Sequence, residues 1–173
     1  MDLSSRVYLV GFMGSGKSHS GKILASAIGY DFVDLDDLIV QAAGCSIPDL
    51  FEWKGESFFR ELEKETLQQT VRYNKYVIAC GGGTPCFFDN MKWINRYGIS
   101  IYLKASVSLL AARLLPGQTE RPVLKEAGTT GLEAFIRKKL ESRQPFYEQA
   151  HWIFDQDVEK DSLVEFVQKR LKA

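Results

Sequence analysis

Gly11-Phe12-Met13-Gly14-Ser15-Gly16-Lys17-Ser18 is the stretch whose reading decides the fold. It has the form G-x-x-x-x-G-K-S, the pattern of a phosphate-binding loop. Four apolar residues, Val7-Tyr8-Leu9-Val10, precede it and suit a buried strand. Residues 21–29 follow, apolar at helical spacing and closed by Gly29. The motif therefore stands at a strand-to-helix switch. There glycines let the backbone wrap round an anion, and the loop N–H groups and the positive helix end point at it. In such a loop Gly14, Ser15, Gly16 and His19 contact phosphate through their backbone. Lys17 reaches the β- and γ-phosphates, and the Ser18 hydroxyl ligates Mg²⁺. A glycine-rich turn with a surface lysine is the bland alternative, and it leaves the clustering at this switch unexplained.

The 173 residues fit one domain, 1–173, and are 45% hydrophobic and 25% charged, ordinary for a globular protein with a core. Lys plus Arg and Asp plus Glu are 22 each. A formal net charge of zero gives no reason to expect nucleic acid or an anionic membrane as partner, so any anion site must come from local placement of arginines. Cys45, Cys80 and Cys86 have no C-x-x-C spacing, and a disulfide framework or structural zinc is not expected. The start lacks a signal-like apolar run, and no stretch approaches the ~20 apolar residues of a membrane span. The expectation is a cytoplasmic enzyme.

The chain beyond the loop continues to alternate. A short strand is expected at 32–35, whose end carries Asp34 and Asp36; two apart, they leave an extended chain on one side. Asp36 and Asp37 could instead cap the next helix. Ser46 with Pro48 opens a short helix interrupted at Lys54-Gly55-Glu56, and a longer one follows at 57–67 with Phe58, Phe59, Leu62 and Leu67 on its apolar face. Arg60 and Glu63 share a face beside that stripe, which by spacing alone reads as a helix salt bridge. Residues 76–80 form a strand running into Gly81-Gly82-Gly83, a second glycine cluster at a strand end and a sign of one shared site. A helix at 87–97, a strand at 99–103, a helix at 106–115, a helix at 132–149, a strand at 152–154 and a helix at 161–171 complete the pattern. Between them, about 116–131 is polar and irregular and reads as a lid loop with Arg121 in its middle. Alternation from end to end predicts an α/β fold with a mainly parallel sheet and helices on both faces.

Asp34, Asp36, Arg60, the triple glycine, Arg121 and Arg143 all point with the phosphate loop at one mouth. Phosphoryl transfer to an alcohol on a small anion needs such parts: alignment, cationic charge, Mg²⁺, and a carboxylate at the accepting hydroxyl. Dispersed arginines suit a carboxylate or phosphate on the acceptor.

With these residues in place the chain resembles the shikimate kinase family. The resemblance lies in residues 11–18, Phe32-Val33-Asp34-Leu35-Asp36, Gly55 to Glu63, Gly81-Gly82-Gly83, Arg121-Pro122-Val123-Leu124 and Arg143-Gln144-Pro145-Phe146-Tyr147, in the family's order over about 6–155. It implies a three-layer α/β/α P-loop kinase fold like that of nucleoside monophosphate kinases, with five parallel strands in the order 2-3-1-4-5. It implies transfer of the ATP γ-phosphate to the 3-hydroxyl of shikimate, within aromatic amino-acid biosynthesis. Carried over, Asp36 binds the hydroxyl and acts as base, and Asp34 holds Mg²⁺ through water. Arg60, Arg143 and the backbone at Gly82 grip the shikimate carboxylate between Gly81 and Gly83, with Glu63 orienting Arg60. Arg121 closes on the phosphates, Arg113 lies by the adenine, and the enzyme is a monomer. His19, Val123 and Ala79 depart from common family residues without removing a catalytic group. A gluconate-type sugar-acid kinase would share the first motif but needs no F-R-x-x-E with G-G-G. A non-catalytic nucleotide binder would be expected to lose Lys17 or Asp36, and a nucleic-acid-linked ATPase would carry net positive charge.

Overall fold

The computed structural model describes residues 5–117 and 128–172. Residues 118–127 of the expected lid, Arg121 among them, fall outside them, while 128–131 belong to a helix that runs Gly128–Tyr147 rather than 132–149. The elements run β1 (Arg6–Val10), α1 (Lys17–Ile28), β2 (Asp31–Asp34), α2 (Leu35–Ala43), α3 (Ile47–Gln69), β3 (Tyr76–Ala79), α4 (Asn90–Tyr97), β4 (Ile99–Lys104), α5 (Val107–Leu114), α6 (Gly128–Tyr147), β5 (Trp152–Asp155) and α7 (Leu163–Leu171). Five strands form one sheet in the order β2-β3-β1-β4-β5, and every pairing is parallel.

Alternation along the strands builds two cores. Val7 and Leu9 of β1, Val77 of β3 and Ile101 and Leu103 of β4 face α1 and α7, where Leu24, Ala25, Phe166 and Val167 meet them. Tyr8 and Val10, Ile78 and Tyr102 face the other way, onto Leu35, Ile39, Leu50, Phe59, Ile94 and Leu110. A sheet covered on both faces explains why β1 is apolar without a break from Val7 to Val10. Gly21 lets α1 approach closely, since a Cβ there would lie 2.6 Å from the Phe32 ring. Among the described residues no helix is long and apolar enough to cross a membrane, and the three cysteines are free.

Helix starts follow the capping chemistry. Ser46 and Ser106 accept from backbone N–H groups three residues on, and Ser162 with Glu165 forms a capping box. Four further expectations need correction. β2 stops at Asp34 rather than Leu35, because Asp34 turns to cap α2 and accepts from the Asp36 N–H; neither Asp36 nor Asp37 is the cap. The helix expected at 87–97 starts only at Asn90, after a 3₁₀ turn at Thr84–Cys86 and Phe88 at φ 50°. The helix expected from 161 starts at Leu163, because Ser162 is its N-cap in a capping box with Glu165. Phe58 is 48% exposed and lies off the apolar face that Phe59 occupies. The expected interruption near Gly55 is present as a kink, with Gly55 at φ 81° within α3.

Candidate active site

The loop after β1 is shaped by close approach. A Cβ on Gly11 would meet the Leu103 carbonyl oxygen at 2.8 Å, and one on Gly14 would meet Leu114 Cγ at 2.9 Å; both glycines have positive φ. Gly16, at φ 89°, caps α1 with no side-chain hydrogen bond, and the first turn of α1 carries no acidic residue. The helix N-terminus thus keeps its N–H donors and its positive end for an external anion. Lys17 is 9% exposed, and its Nζ donates to the carbonyls of Gly11 (2.8 Å) and Phe12 (2.9 Å). Burial lowers its pKa to about 8, against the pull of Asp36.

Asp34 ties two helix starts together. Its Oδ2 accepts from Ser18 Oγ at the head of α1, and its Oδ1 accepts from Asp36 N (3.0 Å) at the head of α2. The two aspartates therefore meet through a cap, not through the alternation of an extended strand. Burial, then the Asp34 and Glu63 carboxylates, push the Asp36 carboxyl up to about 6, with Lys17 opposing.

The triple glycine closes the far wall. A Cβ on Gly81 would lie 3.0 Å from Asp36 Oδ1 and 3.1 Å from Glu63 Oε1; one on Gly83 would lie 2.8 Å from both Arg60 Nη atoms. One on Gly82 would lie 3.3 Å from Met13 N and 3.5 Å from Arg143 Nη1. The Gly82 carbonyl accepts from the fully buried Tyr147 hydroxyl. Arg60 bonds Glu63 Oε2 through Nη1 (2.8 Å) and Glu56 Oε1 through Nε (3.3 Å) and Nη2 (3.2 Å), and its guanidinium lies 4.0 Å from the Phe87 ring centre. Glu63 is 1% exposed and its Oε1 accepts from Thr84 Oγ1 at 2.6 Å.

A cleft of about 610 Å³ runs along this mouth, and Gly14, Gly16, Lys17, Ser18, His19, Asp34, Asp36, Gly81, Gly82 and Arg113 line it. Ser15 does not: it is 1% exposed, with a buried hydroxyl lacking a partner among the described residues. Arg60 opens instead on a neighbouring hollow of about 410 Å³ beside Glu56, Ser57 and Phe87, and Glu63 lies buried behind it. Arg143 stands beside Gly82, 5.5 Å from the Phe12 ring centre. Arg113 Nη1 donates to Gln156 Oε1 (2.9 Å) and lies 3.4 Å from the Gly14 carbonyl; Gln156 Nε2 donates to the Ser15 carbonyl (3.1 Å). Sequence reasoning missed Thr84, Tyr147 and Gln156 as parts of the site. Only Tyr147 had a signal, as the end of the Arg143-Gln144-Pro145-Phe146-Tyr147 run.

The family model for shikimate kinase matches residues 13–172. The chain belongs to the shikimate kinase family. A shikimate kinase of Parabacteroides distasonis is 45% identical over 150 residues, covering 87% of each chain. The crystal structure of shikimate kinase from Bacteroides thetaiotaomicron superposes with a TM-score of 0.89 at 38% identity, over 97% of this chain and 98% of that one. The shikimate kinase from Acinetobacter baumannii in complex with shikimate matches with a TM-score of 0.83 at 32% identity, over 98% and 92%. For a shikimate kinase, two anions must meet at one mouth. The uncapped N-terminus of α1 lines the same cleft as Asp36, Gly81 and Gly82, and Arg143 and Arg60 stand beside Gly82 and Gly83.

Proposed function

We propose that this cleft carries out the family's reaction, transfer of the ATP γ-phosphoryl group to the 3-hydroxyl of shikimate, with Asp36 at the point of transfer. The observation that carries this reading is the setting of Asp36. Its carboxyl group is raised to about 6 by burial and by the Asp34 and Glu63 carboxylates, with Lys17 pulling it down, and a Cβ on Gly81 would lie 3.0 Å from its Oδ1. A carboxylate with that pKa accepts a hydroxyl proton readily near neutral pH. As the 3-hydroxyl oxygen forms its bond to the γ-phosphorus, its proton passes to Asp36. The bond from the γ-phosphorus to the β–γ bridging oxygen breaks, and ADP leaves.

The other residues bind and orient. The backbone from Gly14 to His19 cradles the phosphates, and Lys17 moves from the Gly11 and Phe12 carbonyls onto them. Ser18 and Asp34 present hard oxygen ligands side by side, a donor set that fits Mg²⁺. When bound, Mg²⁺ supplies charge neutralisation to the phosphate oxygens. Arg60 and Arg143 hold the shikimate carboxylate across the Gly82 backbone, Glu63 fixes Arg60, and Arg113 faces the adenine. Arg121, outside the described residues, closes over the phosphates. The protein works as a cytoplasmic monomer of one domain.

The test is binding by titration calorimetry with shikimate, its methyl ester and ATP. Arg143→Ala and Arg60→Lys should each weaken shikimate binding ~10-fold or more, the scale of a hydrogen bond to a charged group, and leave ATP within about twofold. The ester, without the carboxylate charge, should bind weakly to all three proteins alike. Equal losses for shikimate and ATP would overturn the assignment.

A further inference from the structure

Thr84 is fully buried and directly follows the triple glycine, yet no step of the reaction uses it. All three of its polar groups are tied. Its N–H donates to the Gly81 carbonyl (3.1 Å), its carbonyl accepts from Asn90 Nδ2 (2.9 Å), and its hydroxyl donates to Glu63 Oε1 (2.6 Å). Asn90 is itself 2% exposed, so the anchor is internal.

An ionised carboxylate can only accept, so the single hydroxyl proton of Thr84 goes to Glu63. Glu63 Oε2 is held by Arg60 Nη1. With one donor on each oxygen, the carboxylate plane cannot rotate. Without Thr84, Oε1 would lack its hydroxyl donor in a buried place that also faces the Asp36 carboxylate. A buried charge short of a donor moves to find one. Arg60 would follow, because its other carboxylate partner, Glu56, is 58% exposed and a weak anchor. Arg60 has little room for error. Its guanidinium lies 4.0 Å from the Phe87 ring centre and 5.0 Å from that of Phe59, a Cβ on Gly83 would lie 2.8 Å from both Nη atoms, and its bonds among the described residues leave one further N–H on each of Nη1 and Nη2 for a ligand.

We propose that Thr84 is a positioning residue for the acceptor: its hydroxyl, anchored by Asn90 and Gly81, sets the plane of Glu63 and through it the fork of Arg60 that receives the substrate carboxylate. This rests on the reading of Arg60 as a carboxylate ligand.

Steady-state kinetics and thermal melting of Thr84→Val, Thr84→Ala, Thr84→Ser and Arg60→Lys test it. Thr84→Val and Thr84→Ala remove the donor, the second without placing a methyl group against Glu63. Each should raise the KM for shikimate about tenfold, with kcat and the KM for ATP within about threefold. Thr84→Ser should stay within about twofold of the parent on all three. Removing the donor in the Arg60→Lys background should add less than it does in the parent, as expected of residues acting in series. An unchanged shikimate KM in the donor-less variants, or equal losses in kcat, both KM values and melting temperature, overturns the proposal. So does a Thr84→Ser protein that behaves like Thr84→Val. If Arg60→Lys itself leaves the shikimate KM unchanged, the carboxylate reading is what fails, whatever the Thr84 variants do.

Discussion

Asp36→Asn should destroy activity and stabilise the protein. Folding raises the Asp36 pKa from 3.8 to about 6, chiefly through burial and secondarily through Asp34 and Glu63. A shift of about two units corresponds to about 3 kcal/mol between protonation states. Because the folded pKa lies above the unfolded one, the contribution of Asp36 to stability is fully present below about pH 4. It is lost as pH rises through about 6. At pH 7.5 the ionised carboxylate therefore costs up to about 3 kcal/mol; at pH 5 linkage leaves about half of that. Asparagine is nearly isosteric and cannot ionise, so it escapes the cost. The attraction of Lys17 is already counted in the net shift, since it acts against the rise. Urea unfolding of parent and Asp36→Asn at pH 7.5 and pH 5 measures the difference. The variant should be the more stable at pH 7.5, by about half as much at pH 5, and its kcat should fall ~10²-fold or more. A variant no more stable than the parent at pH 7.5, or a gain that does not shrink at pH 5, would refute the electrostatic reasoning. Retained turnover would refute the role as base.

The same two ionisations shape activity: kcat/KM should rise with pH through about 6 as Asp36 ionises and fall above about 8 as Lys17 loses its proton, and a flat profile from pH 5.5 to 9 would deny both assignments. Gly83→Ala puts a methyl group 2.8 Å from both Arg60 Nη atoms, so kinetics should show the shikimate KM rising about tenfold or more with the ATP KM nearly unchanged. Tyr8→Phe removes a buried hydroxyl bonded to Thr70 Oγ1 at 2.7 Å; since Thr70 keeps its bond to the Leu67 carbonyl, chemical denaturation should show a loss of about 1 kcal/mol with kinetics unchanged.

The central strands β1 and β3 were readable because a sheet covered on both faces demands unbroken apolar runs, and Val7 to Val10 and Tyr76 to Ala79 are such runs. The phosphate loop was readable because its glycines serve backbone geometry that no other residue provides. Asp34 and Asp36 read from sequence as neighbours, but the geometry that joins them differs: where β2 ends is set by a side-chain cap, and two-residue spacing is compatible with strand and helix start alike. The triple glycine reads from sequence as backbone approaching a ligand, and Gly81 and Gly82 do line the cleft. Gly81 and Gly83 also leave room for the protein's own Asp36, Glu63 and Arg60, which no local pattern announces, and Gly82 lies against the phosphate loop and Arg143. Arg60 and Glu63 were legible because helix spacing makes them neighbours. Thr84 to Glu63 and Tyr147 to Gly82 were not, because those contacts join separate elements and no local pattern encodes them.

The central claim is phosphoryl transfer from ATP to shikimate at Asp36. ADP release measured by a coupled assay, with Mg²⁺ and ATP and with shikimate, gluconate or no acceptor, tests it most directly, alongside Asp36→Asn. The account predicts turnover that depends on shikimate, is negligible with gluconate or with water alone, and is lost in Asp36→Asn. Turnover with gluconate in place of shikimate, or a folded protein that binds ATP and turns over neither, would contradict it.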